Sequence, residues 1–281
     1  MNIRKLLTRL VSLALIAVFL PTVAMADTWY LEDGSITVSA TKSGQNVSQG
    51  GVTKEDSAPV IRNRDSSAST TNNVTIRADT GATANVTLED TNIDTTGGAG
   101  PNGAGDAAVR TEGGGNVNLN VELDNTLQSG NTRAGVEKGN GGNLTIGSES
   151  GSGQLVATGG DGGAGIGGGE NTGAENITIT GGDIFAIGNG GGAGIGGGWD
   201  CSASDITITG GNVTAVGNKT IPAVLAAQAL AAADLRLRMP AAAPISKSPA
   251  DVSQQSAAIT LRVSAEAMAP MVKTSPFPMP K

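Results

Sequence analysis

Polar and apolar residues alternate over short stretches along most of this chain, and the stretches recur. From Asn176 to Thr180 the apolar Ile177 and Ile179 fall on one face and Asn176, Thr178 and Thr180 on the other. That period of two marks a β-strand, and β-branched Ile and Thr suit a pleated, half-buried surface. Gly181 and Gly182 break the run. A second apolar segment follows at Ile184, Ala186 and Ile187, and Ile166 and Ile195 mark a third, inside a glycine-rich hexapeptide. The hexapeptide AGIGGG occurs at Ala164 to Gly169 and at Ala193 to Gly198. NITITGGDIFAIGN, from Asn176, likewise matches DITITGGNVTAVGN, from Asp205, and both offsets are 29 residues (193 − 164 and 205 − 176).

Three short strands separated by glycine corners make one coil, which buries its inward side chains only by stacking on another coil. The pattern therefore predicts an all-β fold, a right-handed parallel β-helix. Its period sets Ile177 against Ile206 and Ile179 against Ile208, roughly 4.8 Å apart, with about 1.5–3 kcal/mol gained per buried Ile. Upstream the same alternation persists with looser spacing at Asn72 to Ala78, Ala84 to Asp94, Ala107 to Thr111, Asn116 to Asn125 and Asn143 to Gly147. AGVEKGNGG, from Ala134, reads as a degenerate AGIGGGEN. Residues 27–219 accommodate about six or seven coils, a rod about 30 Å long. Trp29 and Tyr30 are expected to cap its first coil.

The ends of the chain are different in kind. Residues 1–26 read as a secretory signal: Arg4, Lys5 and Arg9 supply the positive region, Leu10 to Leu20 the apolar region and Ala24-Met25-Ala26 the cleavage site. The apolar run is shorter than a membrane span. The expected mature protein starts at Asp27, has no membrane span and is secreted or displayed at the cell surface. From Thr220 onward glycine disappears and residues 220–281 read as an unstructured Ala/Pro-rich tail. Back-translated and read one base earlier, that tail regains the repeat: PGGAGSAGAGGG from Ile221, SDIKISGG from Ala243 and AAGIGGGNGA from Leu261. Loss of one A from an AAA codon at Lys219 explains the break. The tail is thus expected to be a frameshift product that does not fold with the coils, and the chain a truncated copy of a longer solenoid.

Composition narrows the chemistry. There is no His and one Cys, which excludes disulfide scaffolds and His-based metal or triad sites. A net charge of −7 argues against a nucleic-acid partner. Asn-x-Thr triplets at Asn73, Asn85, Asn143, Asn176 and Asn212 follow from the repeat more than from glycosylation. The G-x-G-x-x-G at Gly163, Gly165 and Gly168 lacks the strand–helix context of a dinucleotide loop. NGAGDAAV, from Asn102, misses the ligand spacing of calcium nonapeptides. Asp161, Glu170 and Asp200 are left as residues for incidental calcium, and no resident cofactor is expected.

Parallel β-helices that cleave polysaccharides need clustered carboxylates, or carboxylate-bound calcium with a basic residue, on one face. Glu89, Asp90 and Asp94 fall close together here, with Arg77 and Arg110 on neighbouring segments. The sequence shows no loop large enough to build a cleft around them, so they read as a solvated outer face. Trp199, beside Asp200 and after a glycine corner, is the best single binding candidate. Cys201 reads as a neutral substitution in a loop.

The WYLEDGSITVSA start at Trp29, the NVTI strand at Asn73, GNGGNLTIG from Gly139 and the AGIGGG and ITITGG coils resemble a family of secreted bacterial glycine-rich β-helical repeat proteins, often labelled carbohydrate-binding or uncharacterised surface proteins. The likeness spans Trp29 to Asn218. It implies a structural or adhesive surface module for a glycan or host matrix, with no catalytic residues. The contrasting expectation is a β-helix polysaccharide lyase or hydrolase.

Overall fold

The computed structural model describes residues 26–97 and 105–217, together with two short strands further on, Ala233–Leu235 and Ala258–Arg262. Residues 1–25 and most of residues 218–281, on which the secretory-signal and frameshift expectations fall, lie outside the described residues. The described chain is a parallel β-solenoid of about six turns. From Val74–Ala78 onward each coil visits three sheets in the same order. One coil, for example, runs Val109–Gly113 in sheet two, Asn116–Glu122 in sheet one and Asp124–Gln128 in sheet three.

Alternation decides what points inward. Asn116–Glu122 buries Val117, Leu119 and Val121 and turns its Asn residues out. Stacking then builds columns of like on like. One runs Ala84, Val117, Leu144, Ile177, Ile206 and the next Val86, Leu119, Ile146, Ile179, Ile208. Sheet two carries Ile36, Val74, Val109, Val136, Ile166 and Ile195 in the same way, which confirms AGVEKGNGG as a variant of the AGIGGG coil. The predicted 29-residue pairing of Ile177 with Ile206 and Ile179 with Ile208 holds. Two details differ. Ile187 lies half-buried on the outer face of Asp183–Gly188, because inward positions alternate through Ile184, Ala186 and Gly188. Ile208 is half-buried where Ile179 is fully buried, because Ile208 sits in the last coil with less chain stacked beyond it.

The glycine hexapeptides have a steric cause. After the two-residue strands Ile166–Gly167 and Ile195–Gly196, the chain folds back across the outside of sheet two. There Trp199 N–H donates to Gly162 O at 2.8 Å and Glu170 N–H to Thr132 O at 2.8 Å. Backbone then lies on backbone. A Cβ on Gly167, whose φ is +138°, would collide with the Gly196 carbonyl, and one on Gly198 with the Gly169 carbonyl.

The first coil closes differently from the expectation of a simple aromatic cap. Ile36–Thr41, Gly44–Gln49 and Val52–Glu55 form an antiparallel meander on the edge of sheet two. Its second turn is the pair Gly50 and Gly51, with φ of +57° and +81°, which fits a tight hairpin turn. Trp29 packs half-buried against the core, and its Nε1 donates to Asp56 at 2.8 Å. Strand Val60–Arg62 reaches only Thr87 and Leu88 of the next coil. The buried Gln45 side chain serves the uncovered Asn85 instead, accepting from its N–H at 2.8 Å and donating to its carbonyl at 3.0 Å.

At the other end, Ala233–Leu235 pairs parallel to Ala203–Ile208 and Ala258–Arg262 pairs antiparallel to Asn212–Gly217. These eight residues of the tail (3 in the first strand, 5 in the second) therefore join sheets one and three, which the expectation of a tail wholly apart from the coils did not include. The physical reason is the open edge of the last coil, whose unpaired backbone groups template any extended segment of the same chain.

Candidate functional site

Of the residues singled out by sequence, Asp161, Glu170 and Trp199 are brought together along one side of the last two coils. The Trp199 ring lies over Gly191, and a Cβ there would sit 2.7 Å from its Cδ1. Glu170 lies over Gly162 in the same way, with its Cγ 2.9 Å from a Cβ position. The Asp161 carboxylate rests against Gly190. Trp199 remains 41% exposed. Asp200 is exposed at φ +58°, and Asn171, 29 residues earlier, repeats that left-handed position at +57°. Among the described residues no three His, Cys, Asp or Glu side chains gather as a metal site. Among the same residues no helix is long and apolar enough to cross a membrane. Cys201 is half-buried and free.

The carboxylates near Asp90 are already engaged. Arg62 donates to Glu89 at 2.8 Å and to Asp90 at 3.2 Å. Asp94 accepts from the N–H and hydroxyl of Thr96, two residues on. Arg110 pairs with Glu112 at 3.1 Å and Glu137 at 3.6 Å, and Arg77 lies 4.0 Å from Asp79. Each candidate is tied to a local partner, and the arginines are spread over different coils.

Sequence reasoning missed a groove. It has a volume of about 480 Å³ and runs past three successive coils at the corner between sheets two and one, along Lys138 to Gly141, Thr172 to Glu175 and Ser202 to Ser204. Lys138 forms its floor and is 5% exposed. Its Nζ donates to the carbonyl of Asn140. Burial pushes the Lys138 ammonium below the usual lysine range, opposed by the charge of Glu175 on the rim. Asn140 is itself locked: it donates to the carbonyls of Gly115, Gly142 and Asn143 at 2.8, 3.1 and 3.2 Å and accepts from the Thr111 hydroxyl at 2.9 Å. A signal for the groove did exist, since Glu137-Lys138 replaces Gly-Gly of the AGIGGG coil. Next to it, Glu137 Oε2 is buried without a partner, while Oε1 pairs with Arg133 at 3.2 Å.

Compared with known proteins, the chain matches no family model, no curated protein and no solved structure.

Proposed function

We propose that this protein is a secreted or cell-surface module, structural and adhesive rather than catalytic, whose rod presents side chains for an extracellular glycan. The observation that carries this reading is the exposed Trp199 indole, held on a stiff, repeated backbone corner beside Asp161 and Glu170. A flat apolar ring with polar neighbours matches a sugar, which has one C–H face and an equatorial rim of hydroxyls. The corner is also rigid, because backbone hydrogen bonds tie it to the coil before it, so little entropy is lost on binding. Exposed Asp200 and half-exposed Glu170 add acceptors for hydroxyls.

The lyase or hydrolase alternative requires carboxylates free to act on a substrate. Glu89 and Asp90 instead neutralise Arg62, and Asp94 closes a turn. A glycan array probed with the full chain checks the proposal. Binding should be detectable and should fall about tenfold or more in Trp199→Ala, the loss expected of a central aromatic contact. Release of unsaturated or reducing ends from pectin, abolished by Asp90→Ala, would defeat it.

A further inference from the structure

Lys138 stands where the solenoid normally holds an apolar side chain. Its inward column starts with Val38 and Ile76, turns polar at Thr111 and reaches Lys138 in the fourth coil. Val136 beside it continues to Ile166 and Ile195, and Glu137 is followed by Gly167 and then by Gly196. One position further, the two later coils carry Gly168 and Gly197, where a Cβ would strike the carbonyls of Thr172 and Cys201, so the returning chain takes the place of a side chain there. The groove lies against these returning segments, lined by Lys138 to Gly141, Thr172 to Glu175 and Ser202 to Ser204.

An ammonium has three donors. Lys138 uses one, on the Asn140 carbonyl, and among the described residues it forms no ion pair. A buried charge without a counter-ion is costly, and Lys138 is one of the residues that line an open groove. Thr172, Ser202, Ser204 and, on the exposed rim, Glu175 line the same groove.

We propose that this groove binds an acidic saccharide, with the carboxylate of a uronate residue on Lys138 Nζ and its ring hydroxyls on Glu175, Thr172, Ser202 and Ser204. The proposal rests on the glycan-binding reading above and names a second site and its sugar class. Pockets for small ligands start near ~300 Å³, so the groove takes one or two rings. A carboxylate supplies both the missing counter-charge and the acceptors that Lys138 lacks, whereas a neutral sugar leaves the ammonium unpaired. Glu175 at the rim and the net charge of −7 disfavour densely sulfated polymers. A carboxylate in place would also raise the lysine's depressed pKa.

Titration calorimetry on the full chain tests this, with digalacturonate and neutral digalactose as probes. Digalacturonate should bind and digalactose should bind at least about tenfold more weakly, in line with losing one charge-assisted pair. Lys138→Met should cost about the same factor for digalacturonate alone. Ser204→Trp, which fills the groove from its half-exposed rim without touching the core, should abolish binding and serves if Lys138→Met does not fold. Trp199→Ala should leave digalacturonate affinity unchanged, which separates this site from the exposed indole. Equal affinity for the two probes, no binding of digalacturonate, or unaltered binding by a folded Lys138→Met protein would each overturn the proposal. A positive glycan array alongside any of these would leave the adhesive reading standing.

Discussion

At the scale of single residues, buried Asn125 answers a local shortage of hydrogen bonds inside the solenoid. Asn125 occupies an inward column whose next members are Leu155, Ile184 and Val213. It is 1% exposed, accepts from the N–H and hydroxyl of Thr91 at 3.1 and 2.8 Å, and donates to the carbonyls of Glu122 and Gln154 at 2.9 and 3.0 Å. Asn125→Leu restores the apolar column but strands those backbone groups, so we expect a loss of about 2–3 kcal/mol by denaturant unfolding. Lys138 gives a pH signature. Burial lowers its pKa in the folded state, so between that lowered value and the ordinary lysine value of about 10.4 the unfolded chain binds the extra proton. Stability from this group therefore rises with pH through that window, and Glu175 only moderates the effect. The melting temperature of the native chain should gain on that of Lys138→Met between neutral pH and pH of about 10; a constant difference would show that the ammonium is not desolvated.

At the scale of the element, a strand here has little stability of its own and depends on its column. Ile179 is fully buried between Ile146 and Ile208. Ile179→Asp puts an unpaired charge there, and neighbouring coils should open together, lowering the melting temperature of the full chain and its strand signal in circular dichroism. The fold-back loops are constrained just as tightly. Gly167→Ala meets both a left-handed φ of +138° and the Gly196 carbonyl, so we expect a loss of about 2–4 kcal/mol, combining backbone strain with overpacking. These elements were legible in the sequence because periods of 2 and 29 residues are local properties of the chain. The meander over Ile36–Glu55 was less so. Its alternation and its Gly50-Gly51 turn were visible, yet alternation is the same for parallel and antiparallel strands, and only pairing partners separate them.

At the scale of the whole molecule, a solenoid must manage two ends. The start is closed by the meander, by Trp29 on buried Asp56 and by Gln45 standing in for a strand. At the far end, Ala233–Leu235 and Ala258–Arg262 lie on two of the last coil's sheets. A chain ended after Gly217 would expose both edges. It should self-associate more than the full chain in light scattering at equal concentration, and equal scattering would show that the two strands do not shield the edges.

By itself the sequence determined the class of fold, the direction of the side chains in each coil and the glycine corners, because these follow from alternation, a fixed repeat and backbone sterics within or between identical units. Only the tertiary structure decided what lies across coils that are not identical. The Arg62 clasp on Glu89 and Asp90 joins residues 27 and 28 positions apart. The Lys138 groove needs three coils at once: a long polar side chain in one and the returning segments Thr172 to Glu175 and Ser202 to Ser204 in the next two. Neither depends on a local pattern. Each arises where the repeat is broken in one coil and kept in its neighbours, so that a side chain meets a partner, or a space, that its own segment does not specify.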